Sequence, residues 1–365
     1  MGKKNEELRI ENKGIFPQFS ILNSQFSDRW LHRLWFKANL PLPVQWFAGS
    51  CDLYHATDFV LPPTLPNTKT VLTVHDLSFE RDPGSAVPTL LAFLRKVVPA
   101  SARRATHIVA DSHATAHDLT ELYGIAPEKI TTIHSGVSAR FQILDFRFQN
   151  VESVKIRQKY HLGEAPFILT VGTMQPRKNH LGLVRAFAQI QSPISNLSNS
   201  PNLVISGGKG WLYDEVLREV QLLGLSDRVK FIGYADDEDL PALYRAAAVF
   251  AFPSFYEGFG LPPLEAMACG VPVVTANTSS LPEVVGDAGL TVNPHDVDAL
   301  ANALTLALND NAWCAQAIAR GIARAKTFTW QRAAEQLLGV YERVLLSTSD
   351  LSSGADCQTH KISNL

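Results

Sequence analysis

The chain is predicted to be an α/β protein of two doubly wound parallel-sheet domains, the first of them incomplete. Three observations carry this. From Phe167 to about Leu308, short Val- and Ile-rich runs alternate with amphipathic helical runs, the pattern of β-α units around a buried parallel sheet. A sparser copy of the pattern precedes it. The unusual residues cluster just after the strand candidates, where such sheets bind ligands.

The second domain has strand candidates at Phe167–Gly172, Leu203–Ser206, Val229–Gly233, Val249–Phe252, Val271–Thr275 and Leu290–Val292. Helices are expected between them near Leu181–Ile190, Tyr213–Leu223, Asp239–Ala247, Leu261–Ala268 and Val297–Leu308. The first has strand candidates at Leu53–His55, Val71–Val74, Ile108–Ala110 and Ile130–Ile133, with helices at Val87–Arg103 and Ala114–Leu122. Four strands fall short of the five or six of a full doubly wound domain. Residues 1–50 carry aromatic residues (Trp30, Trp35, Phe36, Trp46) with Pro41 and Pro43, but no strand followed by a Gly-rich turn. The expected division is 1–150, then 151–346, then a polar disordered tail over 347–365. Residues 141–165 read as a connector.

At 365 residues, with 46% apolar and 19% charged side chains, the chain has enough apolar sequence for two cores. A net charge of −2 gives no reason to expect a nucleic-acid partner. No apolar run reaches the ~18 residues of a membrane span, and no apolar segment follows the N-terminal lysines as in a secretory signal. Cys51, Cys269, Cys314 and Cys357 are scattered, which fits a reducing compartment and argues against a structural zinc site. A cytoplasmic protein is expected, associated with a membrane only at its inner face.

The most informative stretch runs from Pro253 to Val274. A strand ends at Phe252, and a loop with Gly258 and Gly260 follows, letting backbone N–H groups approach a ligand. Pro262 and Pro263 sit in a helix's first turn, where a missing N–H costs nothing. Glu257 in the loop and Glu265 in the helix face one cleft, as carboxylates suited to sugar hydroxyls. In isolation, each glutamate would be read only as a complement to the helix dipole.

Glu257 to Glu265 matches the E-x7-E motif, and the block resembles the retaining glycosyltransferases of family four, the "group 1" glycosyltransferases, over roughly Thr70 to Val344. The resemblance implies a GT-B fold, two Rossmann-like domains facing a cleft. It also implies transfer of a hexose from a GDP- or UDP-linked donor to a saccharide or lipid-linked acceptor, with retention, in surface polysaccharide or glycolipid biosynthesis. No metal and no cofactor besides the nucleotide sugar are implied. Mannose is one of the donor sugars such motifs serve. Glu257 would contact donor-sugar hydroxyls and Glu265 the ribose. The backbone at Gly258, Phe259, Gly260 and Leu261 would contact sugar and diphosphate.

Thr170 to Asn179 supplies Gly172, then Arg177 and Lys178 opening a helix. Fixed cations suit a departing diphosphate, and the pair resembles the family's Arg-Lys clamp; otherwise it is a solvated basic turn. Many family members carry Arg directly after the first Gly. Here Thr173 stands there, placing more of the burden on Arg177. His75, in Thr73-Val74-His75-Asp76, matches the family's active-site histidine, with Asp76 on the acceptor side. Ser112 would line the cleft or cap the following helix. Gly208, in Ser206-Gly207-Gly208-Lys209-Gly210, matches a donor-lining turn, and Tyr234 is expected beside the base. Asp237-Glu238-Asp239 has D-x-D spacing but precedes a helix, so capping is favoured over metal binding. His55 and His134 have no evident partner and read as structural. Phe328 to Leu345 resembles the family's last helix, which returns to the first domain.

The chain departs from the family at its front, where a G-G-x-G loop is expected and not found. The alternative function is therefore a truncated, non-catalytic nucleotide-sugar-binding or protein-interaction remnant. A two-domain epimerase or phosphorylase is a third reading, and no cofactor-lysine pattern supports the phosphorylase.

Overall fold

The computed structural model describes residues 33–37, 40–142, 149–190, 200–211 and 213–346. The described residues form two compact units, one of 33–37, 40–51 and 62–66 and the other of all the rest. The smaller unit holds a helical turn at Gln45–Ala48 (α1). Within it Trp35 Nε1 donates to Leu42 O at 2.7 Å, and Val44 N donates to Pro63 O at 2.8 Å. Trp30 and the tail from residue 347 lie outside the described residues.

The larger unit contains two all-parallel sheets. The first has the order β1-β2-β3-β4, from Leu53–Ala56, Lys69–Val74, His107–Ala110 and Ile130–Thr132. The second has six strands: β5 Phe167–Val171, β6 Asn202–Ser206, β7 Val229–Gly233, β8 Val249–Phe252, β9 Val273–Ala276 and β10 Leu290–Val292. Their order, β10-β9-β8-β5-β6-β7, reverses between β5 and β8. That reversal is the switch point at which doubly wound sheets open a ligand crevice. β8 and β9 are buried at every position, as central parallel strands covered on both faces must be. The expected α/β class and both strand sets are therefore observed.

The helices of the first sheet are α2 Ser78–Arg81, α3 Pro88–Arg104 and α4 His113–Tyr123. Then come α5 Gln149–Lys159, α6 His180–Gln189, α7 Asp214–Leu222, α8 Leu240–Ala246, α9 Leu261–Ala268, α10 Leu281–Val285, α11 Val297–Asn309, α12 Asn311–Ala325 and α13 Trp330–Leu346. The segment read as a connector contains α5, whose weak amphipathicity hid it. α12 was also missed. Its buried face is made of Ala317, Gly321 and Ala325, small residues that leave little apolar signature. Gly321 lets α12 approach α9 closely, since an added Cβ would lie 3.3 Å from the Met267 side chain.

One core holds Phe167, Tyr244, Phe250 and Phe252 and packs α9 on the six-stranded sheet. Another holds Ile168, Phe187, Leu203 and Leu304 on the opposite face. α13 does return to the first sheet: Val340 and Val344 pack on Val71 and Val109. His55 completes that joint, with Nδ1 2.6 Å from Tyr341 Oη and Nε2 2.8 Å from Thr73 Oγ1. The histidine left without a partner at the sequence level thus has two. Cys51, Cys269 and Cys314 are free thiols.

Candidate active site

The loop after β8 brings the candidate residues together. Glu257 is buried, with Oε1 2.7 Å from Lys178 Nζ and Oε2 3.0 Å from Arg177 Nη1. Burial pushes its carboxyl upward, but the charges of Lys178 and Arg177 outweigh it and hold Glu257 below its ordinary range. For Lys178 the balance goes the other way, and burial lowers it despite Glu257. Its ammonium also lies 4.7 Å above the Phe252 ring. Two cations and one anion leave an excess of one positive charge, as a site for a doubly charged leaving group requires.

This loop is fixed by local hydrogen bonds. Phe255 N donates to Arg177 O at 2.9 Å, and Arg177 Nη1 donates to Tyr256 O. Asn179, buried and in left-handed conformation at φ 54°, caps α6 by accepting from Gly182 N. Its Nδ2 donates to Pro253 O and Pro294 O. Ser280 Oγ donates to Glu257 O at 2.9 Å and Phe259 O at 2.6 Å, and Glu257 N donates to Ser279 Oγ. Asn179 had no individual signal in the sequence.

His75 approaches from the end of β2. Its Nδ1 lies 2.8 Å from Asp111 Oδ2 and its Nε2 2.9 Å from Thr57 O. Both partners are acceptors, which calls for an imidazolium with two N–H donors. The hydrogen bond to Asp111 dominates and, against burial, pushes His75 up to about 9. Asp111, just after β3, was missed as a site residue, although it stands beside Ser112. Gly258 explains how the two loops meet: a Cβ there would overlap His75 O and lie 2.8 Å from Asp76 Cβ. Thr115 Oγ1, 3.2 Å from His75 O and 3.5 Å from Gly258 O, spans the same joint.

Glu265 lies about one turn inside α9, eight residues after Glu257, with Oε2 accepting from Tyr244 Oη at 2.9 Å. Burial pushes it up to about 7, only partly offset by that hydrogen bond. The glycine turns are close: a Cβ at Gly207 would overlap Gly172 O, and Met174 N donates to Gly208 O at 3.0 Å. Gly208 itself faces open space. Gly260 starts α9 at φ 109°, a conformation that favours glycine. Leu261 is partly exposed, while Phe259 is buried and stacked on His134 at 5.7 Å.

Local contacts account for four further residues. Of its two expected roles Ser112 takes the capping one: it is fully buried, and its Oγ accepts from Thr115 N at 3.0 Å at the start of α4, so it does not line the cleft. Asp76 Oδ1 is held by Ser78 N at 2.8 Å, in the local turn that starts α2. Asp239 does not cap α8: its carboxylate is taken by Lys159 Nζ and, at 2.7 Å, by Tyr160 Oη. His134 is not isolated, since it packs against His113, Phe259 and Phe328. Tyr234 is 69% exposed, with Oη on Asp237 Oδ1 at 2.8 Å.

A cavity of about 310 Å³ adjoins the loop, lined by Arg81, His117, Asp118, Phe255, Tyr256 and Ser279. Asp118 is buried there and accepts from Arg81 Nε at 2.9 Å and from Tyr256 Oη. It thereby ties α4 to the residue before Glu257.

The family models agree with this geometry. Residues 152–324 match "Glycosyl transferases group 1", and residues 4–141 match "Glycosyltransferase Family 4". The O-antigen chain mannosyltransferase B of Escherichia coli is 38% identical over 291 residues, 80% of this chain and 74% of that protein. The chain belongs to the group 1, family 4 glycosyltransferases. Its GT-B fold is shared with the sucrose-phosphate synthase of Thermosynechococcus elongatus, at 26% identity and TM-score 0.67, over 86% of this chain and 77% of that one. The serotype-specific mannosyltransferase WbdA of Escherichia coli is 32% identical over 316 residues. That match takes in 85% of this chain but only 37% of the relative. The match beginning at residue 4 brings the poorly patterned front of this glycosyltransferase into the family as well. No helix among the described residues is long and apolar enough to cross a membrane.

Proposed function

We propose that this glycosyltransferase moves a mannosyl group from GDP- or UDP-linked mannose to a saccharide acceptor, free or lipid-linked, in surface polysaccharide assembly. The sugar and the pathway rest on the mannosyltransferase relatives. The observation that carries the donor site is the buried Arg177-Lys178-Glu257 cluster at the sheet's switch point.

Arg177 and Lys178 would turn to the diphosphate, and Glu257 would then accept from donor-sugar hydroxyls. Glu265 would accept from the ribose. Backbone groups at Gly172, Gly208, Gly258, Phe259, Gly260 and Leu261 would line the donor, with Tyr234 at its base. His75, charged and held by Asp111, would face the donor from the other sheet. The residues before 150 would then serve the acceptor and those from 151 to 346 the nucleotide sugar.

Glu257 is a poor nucleophile while two cations hold it. The acceptor oxygen would therefore attack the anomeric carbon on the face the diphosphate leaves, giving retention. The bond to the phosphate oxygen breaks with its electron pair, and that oxygen takes the acceptor's proton. The reaction needs neither a metal nor a cofactor, since the fixed cations carry the developing charge. For a lipid-linked acceptor, exposed Leu90, Lys96 and Arg103 of α3 would make a peripheral contact with an anionic inner leaflet.

The test is incubation with GDP-mannose, UDP-mannose and a mannose-terminated oligosaccharide. One donor should yield a new α-mannosidic linkage by NMR. Hydrolysis alone, or an inverted linkage, would contradict the reading. So would nucleotide-sugar binding without product, the outcome for a non-catalytic remnant.

A further inference from the structure

Behind the donor loop, His113, His134 and Glu283 converge from the first turn of α4, the end of β4 and the helix α10. One ligating atom from each lies within 4.8 Å of the others. His134 Nε2 is 3.7 Å from Glu283 Oε2, too far for a hydrogen bond. His134 Nε2 and Glu283 Oε1 are both buried without a hydrogen-bond partner. Native structures leave few such atoms unpaired, and two in one place call for an explanation.

We propose that these three side chains bind one divalent transition-metal ion of the zinc type. Two imidazoles and a carboxylate are a common zinc donor set, with a water completing a tetrahedron. Bonds of ~2.0–2.1 Å would bring the ligand atoms about 3.3 Å apart, a closure of an ångström or so from the present spacing. Glu283 is held in place, since its Oε2 accepts from His113 N at 3.0 Å. His113 is exposed, which gives an ion a way in. The ion would tie the start of α4 and the end of β4 to α10 and fix the His134 ring against Phe259. It takes no part in transfer, because neither His75 nor Glu257 is a ligand.

The probe is Co²⁺, whose visible absorption reports tetrahedral nitrogen and oxygen ligation, with Zn²⁺ as competitor. His113→Ala removes one ligand but keeps the backbone N–H that holds Glu283. Glu283→Gln is the second variant. His117→Ala is the control, because His117, Asp118 and Glu121 form another cluster of potential ligands. The wild-type chain and His117→Ala should take up one Co²⁺ displaced by Zn²⁺ but not by Mg²⁺. Affinity should fall at least ~10-fold in His113→Ala and likewise in Glu283→Gln, since even an outer-shell partner is worth that much. No saturable uptake, unchanged uptake by a folded His113→Ala protein, or loss confined to His117→Ala would overturn the assignment.

Discussion

Lys178 Nζ stands 2.7 Å from Glu257 Oε1 in a buried pocket that also holds Arg177. The pair joins the loop after β5 to the loop after β8. Glu257 is held ionised by the two cations beside it, so the site is poised between internal pairing and binding an anion. Glu257→Gln would remove the anion and leave two cations for the diphosphate. Transfer should fall by ~10²–10³-fold, the cost of losing a preorganised polar contact, while nucleoside diphosphate binding is kept or tightened. Steady-state kinetics beside calorimetry separate the two effects.

Glu265 gives a pH signature. Its folded carboxyl titrates near 7, above the 4.5 of a free glutamate. The folded state therefore holds a proton that the unfolded chain releases between those values. The stability contributed is complete below about 4.5 and is lost as pH rises through about 7. Glu265→Gln should flatten this part of a urea-midpoint profile. Glu265→Ala should weaken nucleotide binding by about 1–3 kcal/mol, the cost of an unmade hydrogen bond.

His75 has the opposite origin and a different window. Its folded value, about 9, lies above the ordinary 6.5 because of Asp111. Its contribution is complete below about 6.5 and disappears as pH rises through about 9. Asp111→Asn should bring the His75 resonance, followed by NMR titration, back toward the ordinary range.

Gly258 is where the two loops touch. Alanine there would press against backbone, the His75 carbonyl, which cannot swing away as a side chain would. Gly258→Ala should cost about 1–3 kcal/mol of stability and most of the activity, read by thermal unfolding and by initial rates. Gly208→Ala meets open space and should fold as the wild type does.

Much of this site was legible because local chemistry announced it. Strand, Gly-containing loop, prolines and acid spacing agreed over Pro253–Glu265, and the basic pair followed a strand. What was not legible depends on distant parts of the chain. Asp111 gains meaning only through His75, and Asp118 only through Arg81 and Tyr256. For Ser112 the sequence left cleft and cap both open, because a polar residue after a strand serves local turns as readily as a cleft. Asp239 was misread because α5 was not foreseen, and that helix supplies Lys159, whose ammonium takes the carboxylate. The short polar strand β4 was found, yet His134 at its end had no visible partner, because Phe259, Phe328 and Glu283 come from elements more than a hundred residues away.

The central claim is that Arg177 and Lys178 hold a nucleoside diphosphate beside Glu257. The most direct measurement is calorimetric titration of GDP and of UDP into the wild-type chain and Arg177→Ala. One nucleotide should bind the wild type, and Arg177→Ala should weaken it at least ~10-fold, in line with the ~1.5–3 kcal/mol of a hydrogen bond to a charged group. Binding of neither nucleotide by the folded protein, or binding indifferent to Arg177→Ala, would contradict it.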